Sequence, residues 1–374
     1  MRLFLVAGEP SGDRLGAALL AGLRDLAPDA HVAGVGGPAM AAEGLDSLFA
    51  MERLSVMGLA EVLPRLRELL ALRDRTVAAV LADPPDALIT IDSPDFGLRV
   101  AAKVRAANPA IRTIHYVAPS VWAWRAGRAA RMARTVDHVL ALLPFEPPYM
   151  RAAGMSCDFV GHPVVAEPRA TVDEVAAFRA RHGRTALVLP GSRGGEIARL
   201  APVFGAALRQ MPDAVRPVIP TLPHLVAQLR AAVADWPAAP LLVTDDTDRR
   251  AAFGAAEAAL AASGTVSLEL AANGVPMVIA YDMAWLSRVI LSRMLRVDTV
   301  TLVNLVSETR AVPEFLGPDC RPGPVGAAFA RLLQVPSLRA AQREALDLTM
   351  VRLGRDGAPP GRRAARSVLD AIGR

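Results

Sequence analysis

Lys103 is the only lysine in a chain of 374 residues that carries 42 basic side chains. A P-loop needs a lysine in GxxxxGK[ST], so that phosphate site is excluded. Lys103 itself falls in a predicted helix, residues 98–107, with no sign of Schiff-base chemistry. The two cysteines, Cys157 and Cys320, offer neither a disulfide framework nor a metal cluster. Six histidines show no ligand spacing, so no bound metal and no cofactor are expected. Aromatic residues make up 5% of the chain, and no nucleic-acid motif accompanies its basicity, which argues against a nucleic-acid partner. Long apolar runs are missing too. The best, residues 258–281, is interrupted by Glu269, Asn273, Gly274 and Pro276 and is not a simple membrane span. The apolar segment 3–7 is too short for a cleavable signal, so a cytoplasmic location is expected.

What is present is apolar and basic. The hydrophobic fraction is 52%, the formal net charge is +5, and nearly all of the positive charge is arginine. An acidic small molecule or an anionic membrane surface fits this balance better than nucleic acid. The length suits two domains. Short apolar strands are predicted at 3–7, 31–35, 87–91, 111–117 and 138–142, alternating with helices at 13–26, 64–81 and 97–107. The pattern restarts after a proline-flanked linker near residue 165, with strands at 186–189, 215–219, 241–243, 258–261 and 275–279. This reads as α/β, two doubly wound domains facing across a cleft. The expected division is 1–164, 165–340 and a helical tail, 341–374, packing across the domains.

The loops between these elements carry the polar chemistry. Segment 115–125, HYVAPSVWAWR, follows a strand and concentrates Tyr116, Trp122 and Trp124 with Ser120. Such a cluster past a strand's carboxyl end is a ligand site, or a loop whose aromatics pack on a neighbouring helix. Segment 8–13, GEPSGD, is a strand-to-helix loop presenting Glu9, Ser11 and Asp13. Segment 91–96, IDSPDF, puts Asp92 and Asp95 at a strand end. Asp92 is a candidate general base or a helix cap, and Asp95 reads as a cap.

In the second half, segment 189–196, LPGSRGGE, combines close-approach glycines with Ser192 and Arg193, suited to phosphate oxygens. The alternative is a turn capped by Ser192. Ser263, Gly264 and Thr265 repeat the logic at another helix start, with Glu269 one turn on, available to ribose hydroxyls or simply solvated. Two such loops favour a diphosphate ligand. The GxGxxA match at 34–39 is broken by Pro38, and Asp246 with Asp248 precedes a predicted helix, 249–256, and reads more simply as its N-cap than as a metal pair.

Taken in order, segments 7–13, 56–58 (VMG), 91–96, 115–125, 143–146 (LPFE), 161–162, 189–196, 263–265 and 304–305 (NL) resemble the lipid-A-disaccharide synthase family over essentially the whole chain. The resemblance implies a GT-B glycosyltransferase with two Rossmann-like domains. It implies transfer of a diacylglucosamine from a UDP-linked donor to diacylglucosamine 1-phosphate, with inversion, to form a β-1′,6-linked disaccharide. Carried over by position, Asp92 is the base on the acceptor 6-hydroxyl, Arg193 lies near the diphosphate, Asn304 is an essential asparagine, and Glu269 meets the ribose. The implied setting is the inner face of the inner membrane, bound peripherally, with homodimers among family members. Segment 313–316, PEFL, departs slightly from the family pattern and leaves the roles of Arg310 and Glu314 open. Rivals are another GT-B enzyme on UDP-N-acetylglucosamine, a 2-epimerase or the peptidoglycan transferase, and a non-catalytic nucleotide-sugar binder.

Overall fold

A computed structural model describes residues 1–54, 59–122, 127–283 and 297–374, and of 59–63 the backbone alone. Trp124 and segment 56–58 therefore lie outside the described residues. The chain divides into two compact units, Met1–Ala166 with Leu353–Arg374, and Glu167–Arg352. The expected tail, 341–374, is thus shared between them rather than forming a third part.

The first unit runs β1 (Arg2–Ala7), α1 (Pro10–Leu26), β2 (His31–Val35), α2 (Pro38–Ala42), α3 (Leu59–Ala82), β3 (Ala87–Ile91), α4 (Pro94–Ala107), β4 (Arg112–Tyr116), α5 (Gly127–Met132), β5 (His138–Ala141), α6 (Pro147–Ala152) and β6 (Ser156–Phe159). Its sheet has six parallel strands in the order β2-β1-β3-β4-β5-β6. Every residue of β3 and β5 is buried, which explains their continuous apolar runs: helices cover both faces. The strand period sorts the core, with Leu3 and Leu5 in the cluster on one face and Phe4 and Val6 in the cluster on the other.

The second unit runs α7 (Val172–His182), β7 (Arg184–Leu189), α8 (Gly194–Ala207), β8 (Val215–Pro220), α9 (Val226–Ala232), β9 (Leu241–Val243), α10 (Asp246–Ala255), β10 (Ala259–Ala261), α11 (Val266–Ala272), β11 (Met277–Tyr281), α12 (Leu302–Ser307), β12 (Glu314–Leu316), α13 (Pro322–Gln334) and α14 (Pro336–Arg352). Its sheet is again six parallel strands, ordered β12-β11-β10-β7-β8-β9. The sequence pattern missed β12, a half-buried edge strand of three residues, because so short a run has no readable period. The two-domain α/β fold is the one expected.

The last helix, α15 (Pro360–Ala371), returns to the first unit and packs along α1. Glycine makes that crossing tight. A Cβ on Gly22 would come within 2.5 Å of the Gly361 carbonyl oxygen, and one on Gly361 within 2.2 Å of the Ala18 oxygen. Val368 and Leu369 then join the core that holds Leu19 and Leu23. Among the described residues, no helix is long and apolar enough to cross a membrane.

Candidate functional site

Both sheets reverse direction next to their first strand. In the first unit the chain builds β2 on one side of β1, then crosses to lay β3 on the other; in the second, β8 and β9 lie on one side of β7 and β10 on the other. Ligands of open α/β sheets bind outside the carboxyl ends of the strands at such a reversal. The polar loops singled out by sequence emerge there.

In the first unit, Ala7 of β1 pairs with Ile91 of β3, so the loops that follow them start side by side. Ser11 Oγ donates to Asp92 Oδ2 at 2.7 Å. Asp92 does not cap α4: the cap position is Ser93, whose side chain makes no capping bond. Space between the loops is small, for a Cβ on Gly8 would lie 2.9 Å from Ser93 Oγ. Asp92, Ser93 and Val117 all hold positive φ, at 52°, 35° and 88°. For a β-branched residue such as Val117 that is a strained conformation. Ladder bonds enforce it, from the Asp92 N–H to the Tyr116 carbonyl at 2.9 Å and from the Val117 N–H to the Leu140 carbonyl at 3.0 Å.

A pocket of about 190 Å³ opens here, lined among others by Asp92, His115, Val117, Ser120 and Arg128. His115 is buried, with Nδ1 2.7 Å from Thr90 Oγ1. Burial holds its pKa down at about 4, against the opposing pull of the Asp92 charge, so the ring is neutral near pH 7. Trp122 packs edge-on to Phe145, with ring centroids 5.2 Å apart. Next to Phe145 is a residue that the sequence placed in segment 143–146 without giving it a role. Glu146 is buried, and its carboxylate accepts the N–H groups of Leu142 and Leu143 at 3.1 and 3.0 Å. Burial lifts its pKa to about 7, partly offset by those bonds and by the nearby Trp122 indole. The buried indole N–H itself finds no well-formed hydrogen bond. Residue type alone signals exposure for a glutamate, which is why its burial was not anticipated.

In the second unit, Leu189 of β7 pairs with Ala261 of β10, and the Ala262 N–H donates to the Leu189 carbonyl at 2.8 Å. The loops 190–193 and 262–265 therefore leave adjacent strands in the same direction. Gly191 has φ 113°, and a Cβ on it would sit 2.6 Å from that of Glu196, so glycine is required. Arg193, not Ser192, is the cap residue of α8, and the Ser192 N–H donates to Glu196 Oε2 at 3.3 Å. The Arg193 side chain is 69% exposed, with Nη1 3.6 Å from Glu196 Oε1. Thr265 stands at the cap of α11, and Gly264, Thr265 and Glu269 are exposed while Ser263 is half-buried.

Other sequence candidates turn inward. The Asp13 carboxylate accepts N–H groups from Gly37, Ala39 and Met40, at 2.8, 2.9 and 3.0 Å. It closes the loop of the GxGxxA match and leaves little for a ligand. Glu9, in segment 8–13 with Asp13, forms the cap position of α1. Asn304 is fully buried. Its amide donates to the Val312 carbonyl at 2.9 Å and accepts the Val312 N–H at 3.1 Å, which makes it a clamp on backbone rather than a group open to substrate. Glu314 accepts from the N–H groups of Val300 and Thr301 and from the Thr301 hydroxyl, and Arg310 pairs with Asp298. Asp245 is the true cap of α10, while Asp246 and Asp248 pair with Arg249 and Arg181. Among the described residues, no group of acidic, cysteine and histidine side chains is arranged to hold a metal.

A family model described as Lipid-A-disaccharide synthetase matches residues 3–357. A relative from Ruegeria pomeroyi named Lipid-A-disaccharide synthase is 60% identical over 388 residues, covering 100% of this chain and 96% of that protein. One of the same name from Rhodospirillum centenum is 49% identical over 381 residues, covering 99% and 94%. Among solved structures, the UDP-GlcNAc 2-epimerase from Neisseria meningitidis bound to UDP-GlcNAc matches with a TM-score of 0.62 and 11% identity, covering 91% of this chain and 94% of that one. At that identity the likeness is one of fold.

Proposed function

The chain belongs to the lipid-A-disaccharide synthase family of glycosyltransferases and acts in lipid A biosynthesis, and on that premise we propose how its residues divide the reaction. The second unit takes the UDP-linked diacylglucosamine donor and the first takes the diacylglucosamine 1-phosphate acceptor. The observation that carries this reading is the pairing of Leu189 with Ala261, which starts two glycine-bearing loops side by side. A neighbour of the same fold binds a UDP-sugar.

In the proposed step the acceptor 6-hydroxyl oxygen bonds to the donor's anomeric carbon as the bond to the diphosphate breaks. The hydroxyl proton passes to Asp92, and UDP leaves from the opposite side, so the configuration inverts. Negative charge grows on the diphosphate as the sugar becomes oxocarbenium-like. Arg193 and the N–H groups of loops 190–193 and 262–265 stabilise that charge where it develops, and Glu269 holds the ribose. Asp13 and Asn304 act indirectly, by holding the backbone that shapes the two sites.

Acyl chains on both substrates call for a membrane surface. We assign its docking to α3, which exposes Leu66 and Arg67 while Leu72 is buried. Incubation with both lipid substrates, followed by mass spectrometry, tests the main reading. UDP and disaccharide phosphate should appear together, with a β linkage by NMR. Conversion of UDP-N-acetylglucosamine without an acceptor would instead mark an epimerase.

A further inference from the structure

We propose that Arg128 is the residue that selects an acceptor bearing a 1-phosphate. The proposal rests on the transferase reading above and goes beyond it by assigning the acceptor's anionic group to a side chain.

The reaction has two anions to hold. The donor's diphosphate has the glycine-bearing loops of β7 and β10. The acceptor's phosphate needs a cation in the pocket that contains the base. Arg128 is the fixed positive charge in the described lining of that pocket, since His115 is neutral. It is half-buried and makes no hydrogen bond or ion pair with a described residue. Asp92 lines the same pocket and bonds to Ser11, and the two opposite charges do not pair with each other. An arginine with no counter-charge among the described residues, on a concave wall, is set for an anionic ligand, and its planar fork matches phosphate oxygens two at a time.

Sugar chemistry supplies the rest. In a pyranose, C1 and C5 flank the ring oxygen and C6 hangs from C5. The 6-hydroxyl and the 1-phosphate therefore lie along one edge of the acceptor. A base and a cation that share a pocket without pairing match those two groups.

The test compares two acceptors, 2,3-diacylglucosamine 1-phosphate and the same sugar with a free 1-hydroxyl, in neutral detergent so that no lipid headgroup phosphate competes. The wild type should prefer the phosphorylated acceptor by on the order of 10–100-fold in kcat/KM, the worth of one charge-assisted contact. Arg128→Ala should lose most of that preference, falling on the phosphorylated acceptor while its kcat/KM on the other and its donor KM stay within about twofold. Arg128→Lys should recover part of the preference, as a point charge without the fork. An equal loss on both acceptors would make Arg128 structural and overturn the assignment, as would an unchanged preference in Arg128→Ala or no preference in the wild type. Absence of disaccharide from either acceptor with the wild type is a different failure, of the transferase reading itself.

Discussion

Ser11 and Asp92, 81 residues apart in sequence, share a 2.7 Å hydrogen bond across the carboxyl ends of two adjacent strands. The hydroxyl fixes one oxygen of the carboxylate, which orients the other. Asp92→Asn should lower turnover by ~10²–10⁴-fold, the usual cost of losing a general base. UDP affinity, measured by calorimetry, should not change, because the loops proposed to hold the donor belong to the other unit. Ser11→Ala should cost less, about 10–100-fold for one bond to a charged group. A Ser11→Ala loss as large as that of Asp92→Asn would give Ser11 a direct part in the chemistry.

Arg193→Ala should weaken UDP binding and slow the reaction, each by on the order of 10–100-fold, since a charge-assisted bond is lost in both ground and transition states. Its exposed guanidinium contributes little to folding, so the melting temperature should stay near that of the wild type. Unchanged UDP affinity together with an unchanged rate would remove Arg193 from the diphosphate. Chelator should leave wild-type activity largely intact, whereas a loss restored by magnesium would bring Asp246 and Asp248 back as metal ligands.

For Asn304 the structure predicts a folding defect. Asn304→Ala orphans the buried N–H and carbonyl of Val312, at about 1–3 kcal/mol each. In a unit of this size each kcal/mol lowers Tm by roughly 2–4 °C. Thermal melts followed by circular dichroism should record that drop, and residual activity should track the folded fraction. A variant that melts like the wild type yet is inactive would return Asn304 to the chemistry.

Glu146 gives stability a pH signature. Its folded pKa, about 7, lies above the ordinary 4.5, so the folded protein holds a proton that the unfolded chain releases. Stability is then fully present below about 4.5 and is lost as pH rises toward 7. Glu146→Gln keeps a carbonyl acceptor for the Leu142 and Leu143 N–H groups without the charge. The Tm of this variant relative to the wild type should climb between pH 4.5 and 7 and level off above. His115 and His162, both held down near 4 by burial, act in the opposite sense. Their contribution is present above 6.5 and lost as pH falls toward 4. It affects both proteins alike and cancels in the difference. A pH-independent difference would mean that folding leaves the Glu146 pKa unshifted.

On α3, Arg65 donates to the Arg53 carbonyl and to Glu68, and Arg75 donates to the Leu48 carbonyl and lies over Phe49. Those cations are partly spent on the protein, while Arg67 is exposed. Each arginine near an anionic surface contributes about 1 kcal/mol, screened by salt. Arg67→Glu should therefore reduce liposome flotation more than Arg65→Glu, and binding should fall between low and high salt. Equal effects, or no flotation at any salt, would remove α3 as the docking face.

The two parallel sheets were legible in the sequence because a strand covered on both faces must be apolar throughout, and runs such as Ala87–Ile91 record that locally. Loops 8–13, 91–96, 189–196 and 263–265 stood out for the same reason: glycine, proline and short polar groups mark abrupt turns wherever they fall. What local pattern could not carry was partnership. Asp13 and Asp92 looked alike as candidates, polar residues beside turns, and Asn304 entered only through the family resemblance. Only the folded chain sends Asp13 to the loop before α2, Asn304 to Val312, and Asp92 to a pocket. Which strands become neighbours decides this. The order β2-β1-β3 brings Ser11 to Asp92, the order β10-β7-β8 brings loop 262–265 beside loop 190–193, and the Gly22–Gly361 crossing carries the last helix back to the first unit. Contacts between distant segments follow from how whole layers pack, and no window of sequence contains both partners.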